Sequence, residues 1–279
     1  MTAPLDEVAD RLSDRDWQIL DGISESRFLT TRQLARAFFD GAPTEAIPRR
    51  VNHALVRLKR FELLATLERR IGGVRAGSAG HVWRITDAGS RLLAAHDGAS
   101  APTRVRLHEP STTFLDHTLA VAETALRVRE AARLQQFTVT GLEREPAAWR
   151  RYLGPIGSVV QLKPDLALVT HSHGFEDRWF IEVDRDTEPP SRILTKCRSY
   201  EQYRATGIEQ DTHGVFPAVL WVVPSGRRAA QLRDHIGNGP GIDPNVFAVI
   251  TLAELDTVLR LGLATYKNNQ GGKKGANPS

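Results

Sequence analysis

Between Lys163 and Tyr203 the chain sets out three carboxylates and one lysine in an order that suits phosphodiester chemistry: Asp165, Glu182, Asp184 and Lys196. Asp165 follows Pro164 in one strand candidate, Glu182 and Asp184 lie two apart in the next, and Lys196 sits in the helix after it. Side chains two apart on a strand share a face, so Glu182 and Asp184 are expected to point the same way. Mg²⁺ or Mn²⁺ takes hard oxygen ligands. A bound ion neutralises a phosphodiester's oxygens and lowers the pKa of a coordinated water. This spacing predicts Asp165 and Glu182 as metal ligands with the Val183 carbonyl as a third. Asp184 would assist or hold a second ion, and Lys196 would orient water or offset charge. The competing reading is a solvated strand end. Three acids without compensating cations repel one another, and one would then titrate high.

The elements needed to position these residues can be read from the sequence. A long helix is expected over Phe114 to Gln135, and strands at 137–142, 159–169 and 178–184. A helix opens at Pro189-Pro190 and runs to about Arg204, followed by a strand at 218–223, a helix from about Gly226 to Ile236, the strand VFAVIT and a short helix at Leu252 to Leu261. Helices placed around such strands predict an α/β fold with a mixed sheet. Lys196 lies one helical turn before Tyr200, and Tyr200 and Tyr203 are expected to pack on the sheet with their hydroxyls outward. His171 and His173 alternate as ligands could, but Gly174 beside them marks a hairpin tip.

The N-terminal hundred residues read differently. Trp17, Leu20 and Ile23 recur at helical spacing behind a Ser13 or Asp14 cap. TRQLARAFF is a second helix, capped by Thr30 or Thr31. A third, from Ala46 to Leu64, sets Val51, Leu55 and Leu58 against a basic face. Two β-rich runs around a glycine-rich tip and a closing helix from Thr86 complete a winged helix-turn-helix, with the third helix as recognition helix. Ala46 to Arg84 holds nine Lys/Arg and only two acids, a net of +7 in a chain whose total is +4, so an anionic partner is expected there. Double-stranded DNA fits: Arg49, Arg50, Asn52, His53, Arg57, Lys59 and Arg60 would meet the major groove or its phosphates, and Arg69, Arg70 and Arg75 the backbone or minor groove. A homodimer through the same unit is the main alternative.

The expected organisation is a winged helix at 1–97, a linker at 98–113, the α/β domain at 114–265 and a disordered tail at 266–279. At 279 residues, 41% hydrophobic and 25% charged, the chain has room for two cores. Cys197 is the only cysteine, which leaves no disulfide and no thiolate zinc site. No apolar run nears the ~20 residues of a membrane helix, and MTAPLDEVADRL lacks the pattern of a secretory signal. A cytoplasmic protein with no membrane partner is the expectation.

Pro164-Asp165, a hairpin and Glu182-Val183-Asp184, in that order of elements, resemble the PD-(D/E)XK nuclease superfamily. That superfamily places a lysine where this chain has Asp184, and Lys196 matches members in which the lysine has moved to the next helix. Glu123, on the long helix, matches an extra acid found in many of them. Over roughly residues 10–260 the chain more narrowly resembles the replication-relaxation family of bacterial mobile elements, in PDLALV, FIEVDRDTE and KCRSYEQY. The resemblance implies a DNA transaction in plasmid or element replication, transfer or maintenance. It leaves two readings: a Mg²⁺-dependent endonuclease or nickase, or a non-enzymatic regulator of transcription or replication with a degenerate nuclease-like domain.

Overall fold

The computed structural model describes residues 5–41, 43–67, 80–99, 109–134, 137–154 and 157–274, with side chains as far as residue 268. The chain divides into two compact units, Met1–Glu123 and Thr124–Ser279.

The first unit runs α1 (Leu5–Ala9), α2 (Asp14–Ser26), β1 (Leu29–Thr30), α3 (Thr31–Phe38), a 3-10 turn (Thr44–Ala46), α4 (Ile47–Arg60), β2 (Leu64–Thr66), β3 (Val82–Ile85), α5 (Asp87–His96) and the first half of α6 (Thr112–Leu134). Short-range chemistry sets where its helices begin. Ser13 caps α2 in a capping box with Asp16, and Thr30 does the same for α3 with Gln33. The Thr86 hydroxyl accepts from Gly89 N at 3.1 Å at the start of α5. Each cap satisfies a first-turn N–H that the helix cannot. Three antiparallel strands in the order β1–β3–β2 pair Leu29 with Trp83 and Leu64 with Ile85. Ile19, Leu20, Ile23, Leu34, Val51, Leu55, Leu58 and Trp83 form the core of this unit. Because the apolar positions of α4 recur every three or four residues, Arg49, Arg50, Asn52, His53, Lys59 and Arg60 are left exposed. The strand stems of the expected hairpin pair as β2 and β3. Arg69, Arg70 and Arg75 at its tip, and most of the expected linker, lie outside the described residues.

The second unit continues α6 and adds β4 (Thr138–Arg144), β5 (Arg150–Leu153), β6 (Val159–Leu162), β7 (Leu166–Ser172), β8 (Phe175–Val183), α7 (Pro190–Arg204), α8 (Ile208–His213), β9 (Ala218–Val223), α9 (Gly226–Gly237), β10 (Phe247–Thr251), α10 (Leu255–Leu261) and α11 (Leu263–Lys274). Its sheet has the order β10–β9–β8–β7–β4. β8, β9 and β10 are mutually parallel, while β7 runs antiparallel to both β8 and β4. The expected α/β class with a mixed sheet is what the structure has. On one face Phe180, Val219, Trp221 and Phe247 pack under Ile193, Cys197 and Tyr200 of α7 and Ala229 and Leu232 of α9. The alternate residues Trp179, Ile181, Leu166 and Leu168 are buried on the other face.

Two expectations need correction. The strand expected over 159–169 is two strands in two sheets, because β6 pairs only with β5 and β7 starts at Leu166. Pro164 stands between them and has no N–H for a ladder. The tail expected to be disordered from residue 266 is helical to Lys274. It is anchored by buried Tyr266, whose hydroxyl donates to Glu254 at 2.8 Å, and by Lys267, which donates to the Pro244 carbonyl at 2.6 Å.

Candidate functional site

The β7–β8 turn sets the geometry of the acid cluster. His173 and Gly174 form its tip at φ 51 and 84, the paired left-handed conformation of a two-residue type I′ hairpin. From that tip the ladder runs Ser172↔Phe175 to Leu166↔Ile181. One step further places Asp165 across from Glu182 at the strand end. On its other side, β9 sets Trp221 opposite Glu182.

All three acids are buried: Asp165 is 4% exposed, Glu182 1% and Asp184 5%. That overturns the reading of a solvated strand end, and buried charges must be paired. Asp165 Oδ2 accepts the Val183 N–H at 2.7 Å. Glu182 accepts from the Lys196 ammonium on one oxygen and from the Tyr200 hydroxyl on the other. Lys196 and Tyr200 lie one turn apart on α7 and so reach the same carboxylate. Asp184 is held in a fork by Arg228 of α9, Nε to Oδ2 at 2.6 Å and Nη2 to Oδ1 at 3.2 Å. The same guanidinium donates to the Glu188 carbonyl at 2.7 Å and to Gln231 at 3.0 Å.

Burial pushes the Glu182 carboxyl up to about 7; Lys196 pulls it down and the Asp165 charge raises it further. Burial opposes the Lys196 charge, but Glu182 and Asp165 hold the ammonium above its ordinary value. Burial and the Glu182 charge push the Tyr200 phenol well above its usual range, which keeps it a donor. Cys197 is pushed up to about 12, chiefly by burial, and is an inert thiol.

The structure thus brings Asp165, Glu182 and Lys196 together, with Tyr200 added. Asp184 is adjacent in sequence but is committed to Arg228. The Glu123 carboxylate takes Arg36 and, at 3.2 Å, Gln33. The expectation of outward tyrosine hydroxyls is corrected, since Tyr200 turns in to Glu182 and Tyr203 to buried Glu209 at 2.7 Å. His171 at the hairpin pairs with Glu176 at 3.2 Å. Arg228 was missed by sequence reasoning. It lies 44 residues beyond Asp184, and no local pattern links the two.

A divalent ion competes for carboxylate oxygens with the donors already on them. Both oxygens of Glu182 and both of Asp184 carry donors, as does Asp165 Oδ2. Among the described residues no three His, Cys, Asp or Glu side chains group so as to hold a metal. Mg²⁺ or Mn²⁺ would have to displace or share the donors from Lys196, Tyr200 and Arg228. The positive charges paired with these acids are Lys196, on Glu182, and Arg228, on Asp184.

In the first unit a cleft of about 1140 Å³ runs along the exposed face of α4, lined by Arg49, Arg50, His53 and Arg60 together with Arg11 and Arg15. The one carboxylate lining it, Asp16, is neutralised by Arg57, so Arg57 is tied inward rather than held ready for a partner. Lys59 donates to Thr66 at 3.0 Å.

Fold and site together define a two-unit α/β protein with buried acids paired to Lys196 and Arg228 in the second unit and a cationic cleft in the first. Residues 20–219 match the replication-relaxation family, and the chain belongs to that family. No curated protein and no solved structure matches it. Among the described residues no helix is long and apolar enough to cross a membrane.

Proposed function

We propose that this chain docks on double-stranded DNA during the replication or transfer of a plasmid or other mobile element, and that its buried acid cluster stabilises the fold instead of cutting DNA. The observation that carries the docking is the outward face of α4. Arg49, Arg50, Asn52, His53 and Arg60 are exposed there, and the helix contains no acid. The order α2, α3, α4, paired strands and α5 supports a winged helix-turn-helix with α4 as recognition helix. Arginine and asparagine are the side chains suited to guanine and adenine edges, and arginine also binds phosphates. Family membership supports the setting in element replication.

In the second unit, α6, β4, β7, β8, α7 and β9 follow the helix–strand–strand–strand–helix–strand order of a PD-(D/E)XK-like domain. Metal-dependent cleavage has one observation in its favour, the meeting of Asp165, Glu182 and Lys196 at one strand end. Against it stand the donors already on the oxygens that a metal would need.

Fluorescence anisotropy of a labelled duplex over a salt series tests the docking. Binding is expected, with log K falling linearly against log salt, and Arg49→Gln with Arg50→Gln is expected to lower both affinity and slope. A chain that forms dimers but ignores duplex DNA at low salt sinks the proposal. Supercoiled plasmid is expected to stay intact in Mg²⁺ or Mn²⁺; nicking that Asp165→Ala abolishes would restore the nuclease reading.

A further inference from the structure

Resting on the DNA-docking reading, we infer that Arg11 and Arg15 are phosphate clamps that grip the duplex backbone from the α1–α2 side of the cleft while α4 occupies the groove. Both are exposed and line the same cleft as Arg49, Arg50 and Arg60. Each guanidinium is held over an aromatic ring, Arg11 over Phe61 and Arg15 over Phe39, both at 4.9 Å from the ring centroid. Phe61 directly follows α4 and Phe39 directly follows α3. Two arginines from one segment are thereby tethered to the ends of two other helices. Stacking occupies the flat face of a guanidinium and leaves its edge N–H groups pointing outward, the edge that pairs with phosphate oxygens. It also restricts a side chain that would otherwise lose rotamer freedom on binding.

Charge and size indicate the class of ligand. Neither arginine makes an ion pair among the described residues, whereas Arg57 in the same cleft does. Six arginines line the cleft against the single carboxylate of Asp16. A volume of about 1140 Å³ exceeds the ~300–1,000 Å³ of small-molecule sites. A run of phosphodiesters supplies repeated charge over such a length, and a small anion would fill only part of it.

The test compares three proteins on labelled duplexes of two unrelated sequences over a salt series: wild type, Arg49→Gln/Arg50→Gln and Arg11→Gln/Arg15→Gln. The last is expected to weaken binding by tenfold or more on both sequences alike. It should also reduce the salt slope by about 1.8, two contacts at ~0.9 each. Arg11→Lys/Arg15→Lys, which keeps the charge, is expected to retain the slope. Unchanged thermal unfolding of each variant ties any loss to binding. If wild type binds and Arg49→Gln/Arg50→Gln is weakened, but Arg11→Gln/Arg15→Gln keeps wild-type affinity and slope, the clamps are refuted and the docking reading stands. A lysine variant that loses the salt slope as the glutamine one does would also overturn them. Wild type that binds no duplex removes the docking reading itself.

Discussion

Replacing Arg228 with methionine tests how the acid cluster is held together. The two side chains of the Asp184–Arg228 pair are 1% and 3% exposed, so neither charge can turn to water without moving the strand end or α9. Methionine fills much of the arginine volume but removes both donors from Asp184. It also removes the donors that reach the Glu188 carbonyl and Gln231. Breaking a buried pair by deleting one partner costs roughly 3–5 kcal/mol, because the other charge stays buried and uncompensated. For a unit of this size that corresponds to a fall in Tm of about 6–20 °C. Asp184→Leu combined with Arg228→Met removes both buried charges, Asp186 keeps Arg227 as a partner at 2.6 Å, and most of the loss is expected to be recovered. Urea denaturation followed by tryptophan fluorescence, with Trp17 and Trp83 of the first unit replaced by phenylalanine, reads the second unit through Trp149 and the buried Trp179 and Trp221. A single variant that loses less than about 1 kcal/mol, or a double variant no more stable than the single, would refute the reasoning. Asp184 would then not be committed to Arg228.

Three further outcomes follow from the packing and charge pairing of the protein. Glu182 titrates at about 7 in the folded protein against an ordinary 4.5. Between those values the folded state binds more protons than the unfolded one, so stability should fall by roughly 3 kcal/mol as pH rises from 4.5 to 7 and level off above. Thermal melts across that range should show the fall, and Glu182→Gln should flatten it; the same profile in both proteins contradicts the burial argument. A Cβ at Gly89 would press on the Leu63 carbonyl and approach Ile85 Cγ1 at 2.8 Å, so Gly89→Ala should cost about 1–3 kcal/mol in urea unfolding, and a neutral result would show that α5 can slide. Calorimetric titration with Mg²⁺ or Mn²⁺ should give no binding heat, since the carboxylate oxygens already bear donors; a site tighter than about 1 mM, lost in Glu182→Ala, would show that Lys196 and Tyr200 yield to a metal.

Much of the architecture is legible in local pattern. The apolar stripe of α4 and the apolar run of β9 depend on residues within a few positions of one another and fall where the sequence puts them, while the structure chooses Ser13 over Asp14 and Thr30 over Thr31 as caps. The β5–β6 hairpin was missed because VVQLKPDLALV reads as one β-rich run unless Pro164 is weighed as a ladder breaker. α11 was missed because Tyr266 is a single apolar anchor in a polar stretch. In the site, the meeting of Lys196 with Glu182 could be expected from the order strand, helix and from the one-turn spacing to Tyr200. Glu123 could not be placed the same way, since its partners Gln33 and Arg36 lie about ninety residues back.

The sequence alone determined which residues could carry charge, which faces of the helices and strands they occupy, and that the net positive charge concentrates between Ala46 and Arg84. These follow from periodicity and composition, which are short-range properties. Only the tertiary structure decided what the charges do. It set Arg228 on Asp184, turned Tyr200 inward onto Glu182, stacked Arg11 and Arg15 over aromatic rings and drew Arg57 to Asp16. Pairing energies depend on separation and burial in space, and residues far apart in the chain acquire both only when the sheet and helices close around them.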